Sequence, residues 1–138
     1  MATLTLEIVT PESLAYSEPV DSVVIPGADG ELGILPMHVP LMTELNPGEL
    51  RISKSGQETS MAIGYGFAEV VSDRVVVLTD TAINEVDIDE SAAEDAITRA
   101  KKALEDKNLA TEDMQVIEAA LQRSLAQLKV KRRKRNHS

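Results

Sequence analysis

The sequence has no cysteine and no tryptophan, and it has few aromatic residues of any kind. Without cysteine the chain cannot form a disulfide, use a thiol nucleophile or build a cysteine-based zinc site. Aromatic residues occupy only 2% of the 138 positions, which leaves too few rings to stack on the bases of a nucleic acid. These absences disfavour a nucleic-acid reader, and they require a core built from Val, Ile, Leu, Ala and Met.

Histidine and long apolar runs are also scarce. The histidines are His38 and His137, so the sequence contains no histidine cluster that could bind a metal ion. No apolar run approaches the roughly 20 residues that span a bilayer. The first residues lack the basic start and apolar stretch of a signal peptide. We therefore expect any membrane association to go through a partner.

The charges are unevenly distributed along the chain, which carries a net charge of −9. Residues 1–86 contain three basic residues against thirteen acidic ones, whereas residues 87–138 contain eleven against ten. Six of the seven residues in 129–135 are basic. The end of the chain is therefore expected to seek a negatively charged partner.

The first 86 residues show the alternation and turn signals of short β-strands. Leu4, Leu6 and Ile8 alternate with polar residues, as in a half-buried strand. Residues 54–57 are typical of a hairpin loop, and residues 72–74 of a tight connection. Further strands are predicted at 20–25, 50–53, 61–63, 67–71 and 75–78. This spacing is that of a β-sandwich or barrel.

The segment Gly30–Leu41 is too apolar for an ordinary loop and too interrupted for one long strand. Pro36 and Pro40 fix φ and remove amide donors, so the segment predicts short strands joined by a rigid bend. His38 lies in this bend without a catalytic or metal-binding partner in the sequence, which favours a packed or interface histidine. We expect this surface to carry any function of the front half.

Near residue 86 the apolar spacing changes to that of helices. Asp87 or Asp89 is expected to cap a first helix, and Thr111 a second one. The apolar stripes are Ala92, Ala93, Ala96, Ile97, Ala100, Ala103 and Leu104 in the first, and Met114, Ile117, Leu121, Leu125 and Leu128 in the second. The short connection predicts an antiparallel two-helix hairpin. The fold is thus α+β, with a β-sandwich domain at 1–86 and a helical hairpin domain with a basic tail at 87–138.

No motif assembles a catalytic site. The glycines of 27–33 lack a following Gly-Lys-Ser/Thr and lie beside acidic residues, so they predict turns rather than a phosphate cradle. The basic tail could bind nucleic acid, an anionic membrane or an acidic protein surface. Because it continues an amphipathic helix, docking on a protein is favoured. We expect no enzymatic activity of the chain's own, no cofactor and no metal.

Several of these segments together resemble the epsilon subunit of bacterial F-type ATP synthases. The resemblance is carried by 26–41, whose core is Gly-Glu-Leu-Gly-Ile-Leu-Pro-x-His, and by 46–50, 64–70 and 77–82. Ile88-Asp89 with the acid-rich start of the first helix also fits. The resemblance covers essentially the whole chain, in the family's order.

The resemblance implies a non-catalytic rotor subunit in the central stalk, which couples ring rotation to the catalytic head. The sandwich would bind the gamma subunit and the c-subunit ring, with Glu31, His38 and Thr43 toward these partners. The extended hairpin would reach the alpha and beta subunits and block ATP hydrolysis. The candidate inhibitory contacts are Arg123, Lys129, Lys131, Arg132 and Arg133. The subunit would lie peripherally at the cytoplasmic face of the inner (plasma) membrane, associating with the membrane only through the complex and binding no nucleic acid.

An alternative function is ATP sensing, in which the hairpin closes on a bound nucleotide. Some bacterial relatives bind ATP through an Ile-Asp-x-x-Arg-Ala motif, of which this chain retains Ile88 and Asp89. Ala92 stands in place of the motif's arginine. We therefore expect no tight ATP binding.

Overall fold

The computed structural model describes residues 2–136, so His137 lies outside the described residues. Two α-helices, α1 (Glu90–Ala103) and α2 (Thr111–Asn136), follow a β-rich part, and a 3₁₀ turn at Glu85–Asp87 precedes α1. The strands are β1 (Leu4–Val9), β2 (Leu14–Val20), β3 (Ser22–Gly27), β4 (Gly30–Ile34), β5 (Leu41–Leu45), β6 (Gly48–Lys54), β7 (Gln57–Ile63), β8 (Gly66–Val71), β9 (Arg74–Thr79) and β10 (Ala82–Asn84). The predicted α+β order of sandwich first and hairpin second is confirmed.

The strands form one curled sheet that closes around a core. Their order is β10-β7-β6-β3-β5-β8-β9-β1-β2, with β4 added on β3. Only the β1–β9 pair among the described strands is parallel. The start of β3 pairs with β6, and its last residue, Gly27, pairs with Leu45 of β5. Strand β3 therefore joins the two layers of the sandwich.

The core of the sandwich consists of aliphatic side chains from alternate strand positions, as the shortage of aromatics requires. In β1 the alternation is complete, with Leu4, Leu6 and Ile8 all fully buried. The other core residues include Val20, Val23, Ile25, Ile34, Leu45, Leu50, Ile52, Met61, Ile63, Ala68, Val70, Val75 and Val77. Burial of these side chains is the main source of the sandwich's stability.

The turn predictions are confirmed where hairpin chemistry is strong. Lys54 pairs with Gln57, and Ser55 and Gly56 between them have positive φ values of 53° and 78°. Ser72 and Asp73 join β8 to β9 with φ values of 48° and 59°. Two consecutive positive φ angles match the right-handed twist of the flanking strands.

The prediction of a single strand at 20–25 was wrong. Val20 ends β2, and β3 begins at Ser22. Asp21 is held at the corner, because its N–H donates to the Ser53 carbonyl at 2.8 Å and its carboxylate accepts the Ser55 N–H at 2.9 Å. Sequence reasoning also missed the rest of β2, which lies at the end of the sheet and is mostly exposed.

The two helices pack antiparallel through small residues of α1 and leucines of α2. Ala93, Ile97 and Ala100 are buried against Leu121 and Leu128. The alanine face of α1 lets the second helix approach closely, as predicted. Met114, which was predicted to belong to the α2 stripe, is instead 43% exposed.

One of the two cap predictions is confirmed. The Asp89 carboxylate accepts the Ala92 N–H at 3.1 Å at the start of α1. Thr111 is already the first helical residue of α2, and the preceding Ala110 supplies the carbonyl that accepts the Met114 N–H. The prediction for Thr111 therefore missed by one position.

Candidate functional site

The outer face of β5, β8 and β9 exposes large apolar side chains. Met42, Phe67 and Leu78 are 66%, 52% and 52% exposed. Phe67 lies directly opposite Leu78 in the register of β8 and β9. With Met42 they line a shallow depression of about 210 Å³. Contiguous exposed apolar side chains of this kind mark surfaces that dock a partner.

The Gly30–Leu41 segment has the predicted form of two strands joined by a bend. The bend presents Leu35, Met37 and Val39 to solvent, at 63%, 86% and 70% exposure. Met37 adopts a positive φ of 68°, and its N–H donates to Asp73 Oδ1 at 2.6 Å. This bond ties the bend to the β8–β9 turn.

His38 is a half-buried residue of this bend. Its N–H donates to the Leu35 carbonyl at 3.2 Å, and its ring Nδ1 lies 2.7 Å from the Val39 carbonyl oxygen. A carbonyl only accepts, so Nδ1 is the donor in this contact. No group of three or more potential metal ligands occurs among residues 2–136.

Thr43 lies on the inward side of β5. It alternates with Met42 and Glu44, which are exposed, and it shares its side of the strand with buried Leu45. Among the residues predicted to face rotor partners, Thr43 is thus half-buried beneath the outer face. Met42, which sequence reasoning missed, lies on that face. The period-2 alternation of β5 would have identified it.

Glu31 lies on β4 and is 56% exposed at its side chain. Arg51 on β6 donates to both of its oxygens, from Nη1 at 2.7 Å and from Nη2 at 3.3 Å. Hydrogen bonding from Arg51 lowers the pKa of Glu31, and the charges of Arg51, Lys129 and Arg133 act in the same direction. Glu31 is therefore an ionised carboxylate near the basic end of α2.

Arg133 of α2 docks on three side chains of the sandwich. Its Nε donates to Glu49 Oε2 at 2.8 Å, and its Nη2 lies 3.3 Å from both Glu58 Oε1 and Ser60 Oγ. The Glu49 side chain is only 11% exposed. Bonding to Glu49 raises the pKa of Arg133. A half-buried, multiply bonded guanidinium fixes α2 against β6 and β7 more firmly than an exposed ion pair would.

Further ion pairs flank this contact. Arg123 lies 3.1 Å from Asp80, and Lys131 lies 3.6 Å from Glu85. Arg132 instead contacts α1, where its Nη2 lies 2.6 Å from Glu94 Oε1. Four of the five predicted inhibitory cations are therefore paired with carboxylates of the same chain, namely Arg123, Lys131, Arg132 and Arg133.

An apolar contact lies at the centre of the docked helix. Val130 is 1% exposed, and it packs with Ala62 of β7, with Ile83 of β10 and with Ile88. Beside it, a cleft of about 600 Å³ separates α2 from β3, β4 and β6. Lys129 lines this cleft together with Glu31, Arg51 and Arg133. We call the α2 surface from Arg123 to Lys134 that contacts the sandwich the docking face.

Ile88 and Asp89, the two residues of the nucleotide-binding prediction, both make structural contacts within the chain. Ile88 is 4% exposed beneath Val130, and the Asp89 carboxylate caps α1. The motif arginine's position is held by Ala92, whose N–H is the one that Asp89 caps. Nucleotide binding through Ile88 and Asp89 stays a prediction.

The structure brings together the predicted inhibitory residues Arg123, Lys129, Lys131, Arg132 and Arg133 on one half of α2. It does not bring Glu31 and His38 together, because Glu31 lies at the start of β4 whereas His38 lies beyond the end of that strand. Sequence reasoning missed the acidic partners Glu49, Glu58, Asp80 and Glu85. The signal that could have identified these partners is the charge imbalance between the two halves of the chain. This imbalance was interpreted as a sign of an external partner.

Comparisons with known proteins agree with this architecture. Residues 3–85 match the model of the ATP synthase delta/epsilon chain β-sandwich domain, and residues 87–132 match that of its long α-helix domain. An ATP synthase epsilon chain of Herpetosiphon aurantiacus is 46% identical, covering 95% of this chain and 96% of the relative. One of Dehalococcoides mccartyi is 44% identical, covering 99% and 98%.

A similar fold occurs in a cryo-EM structure of Euglena gracilis mitochondrial ATP synthase that contains F1 and the c-ring. The TM-score is 0.78 at 24% identity, covering 91% of this chain and 79% of the other. No helix among residues 2–136 is long and apolar enough to cross a membrane. Both domain models match this chain, and its relatives align with it along nearly the whole length. The chain therefore belongs to the ATP synthase delta/epsilon chain family.

Proposed function

We propose that the chain is a non-catalytic central-stalk subunit of a proton-translocating F-type ATP synthase, with a hairpin that regulates ATP hydrolysis. Residues 1–86 dock on the gamma subunit and the c-subunit ring, and so couple ring rotation to the catalytic head. Residues 87–138 act as a second, movable unit. The subunit is peripheral, at the cytoplasmic face of the inner (plasma) membrane, and is held there by the complex.

The pairing of the docking face with the chain's own carboxylates carries the regulatory part of this proposal. Arg123, Lys131 and Arg133 contact Asp80, Glu85 and Glu49 in the docked hairpin. An acidic surface of the alpha and beta subunits would require the same cations. A side chain cannot serve both partners at once, so docking on the sandwich and insertion into the catalytic head exclude each other. Two such states, each favoured by its own contacts, form a switch.

The exposed apolar face supports the docking part. Met42, Phe67 and Leu78 form a surface on the β5–β8–β9 side that the hairpin leaves uncovered. The adjoining bend adds Leu35 and Met37. Burial of aromatic and aliphatic anchors of this kind supplies most of the free energy of a protein interface.

Replacing Phe67 with serine is expected to weaken binding to the gamma subunit by about tenfold or more. The substitution removes the only phenylalanine of the chain from the centre of the exposed face. A pull-down with purified gamma subunit, titrated to give a dissociation constant, measures the effect. Val116→Ser is the control, since Val116 is 66% exposed on the N-terminal half of α2, before the docking face begins. If Phe67→Ser binds gamma as tightly as the unaltered chain, the assignment of this face is wrong.

Deleting residues 87–138 is expected to raise ATP hydrolysis by the assembled enzyme several-fold while leaving assembly intact. The sandwich keeps its own core without the hairpin, because the buried residues of that core all come from β1–β9. Steady-state ATPase activity of purified complexes, normalised to the amount of bound subunit, gives the comparison. Unchanged hydrolysis with normal assembly would refute the inhibitory role and leave the stalk role standing.

A further inference from the structure

A continuous chain of charged contacts runs from the exposed Glu31 to Arg133 of the docked helix. Glu31 bonds Arg51 through both oxygens, and Arg51 Nη1 also lies 3.3 Å from Glu49 Oε1. That same Glu49 oxygen lies 2.7 Å from Arg133 Nε. Three successive contacts thus connect a surface carboxylate of β4 to the docking face of α2.

The two guanidinium groups in this chain share their carboxylates. Glu58 Oε1 lies 3.7 Å from Arg51 Nε and 3.3 Å from Arg133 Nη2, just as Glu49 Oε1 contacts both arginines. The two positively charged guanidinium groups repel each other. The charge of Arg51 lowers the pKa of Arg133, although the hydrogen bond to Glu49 raises it more. Glu31 supplies a further carboxylate to Arg51 alone. With it in place, Glu49 and Glu58 remain available to Arg133.

The two ends of the chain of contacts differ in exposure. The Glu31 side chain is 56% exposed, whereas that of Glu49 is 11% exposed. A partner can therefore reach Glu31 while the hairpin is docked, but it cannot reach Glu49. If a hydrogen-bond donor of a partner binds the Glu31 carboxylate, Arg51 loses this contact. Arg51 then interacts more strongly with Glu49 and Glu58, and the contacts of these two carboxylates with Arg133 weaken.

We propose that Glu31 is a control point for the hairpin: its carboxylate strengthens docking of α2 through Arg51 and Glu49, and its loss to a partner releases the helix. This inference deepens the proposed function, on which its regulatory meaning rests. According to this proposal, a residue on the sandwich surface controls the position of the inhibitory helix. The Arg51–Glu49 pair transmits the effect, so neither residue needs to contact the partner.

The absence of cysteine allows the position of the hairpin to be measured in the full chain. Spin labels on Gln57→Cys and Gln115→Cys, both at exposed positions, report the distance between β7 and α2. Glu31→Gln is expected to raise the ratio of undocked to docked hairpin by about threefold. Glu12→Gln is the matched control. It removes the same charge from an exposed turn residue that forms no ion pair with any residue in 2–136.

The pathway is tested by repeating Glu31→Gln in an Arg51→Gln background. Arg51 is the only side chain within ion-pair distance of Glu31 among residues 2–136, so its removal is expected to abolish the effect. Equal effects of Glu31→Gln with and without Arg51 would overturn the pathway. A distance distribution of Glu31→Gln that matches that of Glu12→Gln would overturn the proposal.

A comparison of hairpin release with ATP hydrolysis distinguishes failure of the proposed inhibitory role from failure of the Glu31 coupling. In the assembled enzyme, release of the hairpin by Glu31→Gln is expected to lower ATP hydrolysis, because the released helix is the inhibitory one. If the labels, read in the assembled enzyme, show release and hydrolysis does not change, the coupling holds and the inhibitory role is refuted. If the labels show no release, the coupling is refuted whatever the hydrolysis rate.

Discussion

Replacing Gly66 with alanine is expected to destabilise the β-sandwich by about 3 kcal/mol. A Cβ at this position would lie 1.8 Å from the carbonyl oxygen of Leu78 and 2.8 Å from the Cα of Thr79. Both atoms belong to the backbone of β9, which pairs with Gly66 through Thr79. The clash cannot be relieved by a rotamer change, so the two strands must separate. Chemical denaturation of the full chain measures the loss.

Gly33→Ala is the matched control for this experiment. Gly33 also lies in a strand, yet a Cβ there would have no heavy atom within 4 Å. Its free energy of unfolding is expected to change by less than about 1 kcal/mol. A Gly66→Ala variant as stable as Gly33→Ala would contradict the described approach of β8 to β9.

Replacing Val130 with aspartate is expected to undock α2 and leave the sandwich folded. Val130 is 1% exposed among Ala62, Ile83 and Ile88. The change removes about 2 kcal/mol of apolar burial and would place a carboxylate in an apolar contact. Hydrogen exchange of the α2 amides, together with thermal unfolding of the sandwich, measures both parts. In the assembled enzyme, ATP hydrolysis is expected to fall.

Val116→Asp controls for the introduced charge and for the loss of a valine from the same helix. Val116 is 66% exposed on the half of α2 that precedes the docking face. The control is expected to keep the exchange protection of residues 123–134. Equal protection of these amides in Val130→Asp would show that the apolar contact does not hold the helix.

Local signals were sufficient for the elements in which pattern and packing agree. The alternation of β1, the hairpin at 54–57 and the Asp89 cap each follow from a few neighbouring residues. Strand β2 was missed because it lies at the end of the sheet and is largely exposed, so it lacks the apolar alternation of an inner strand. Most of β5 was missed for a different reason: no strand was predicted at 42–45, because the prolines before it dominate the local pattern.

The site was less predictable than the fold because it depends on register. The basic end of α2 was evident in the sequence, but its acidic partners outside α1 are separated from it by more than forty residues. Which carboxylates face α2 is set by the pairing of β6 with β7 and by the side of the sheet on which the helix lies. Thr43 illustrates the same limit, because a shift of one position separates it from the exposed Met42. Charge imbalance between two halves of a chain indicates attraction, but not whether the partner is internal.

The antiparallel packing of the helices also gives the hairpin the geometry of a lever. The segment that joins it to the sandwich, Glu85 to Asp89, lies beside the docking face, since Lys131 contacts Glu85 and Ile88 packs under Val130. The opposite tip, at the connection between α1 and α2, lies about 20 Å away along α1. A load applied at the tip therefore acts with a long arm on the contacts of Val130 and Lys131, which lie close to this joining segment. Under the proposed function, a small lateral force on the tip is therefore expected to separate the helix from the sandwich, which would make undocking of α2 sensitive to mechanical load as well as to charge.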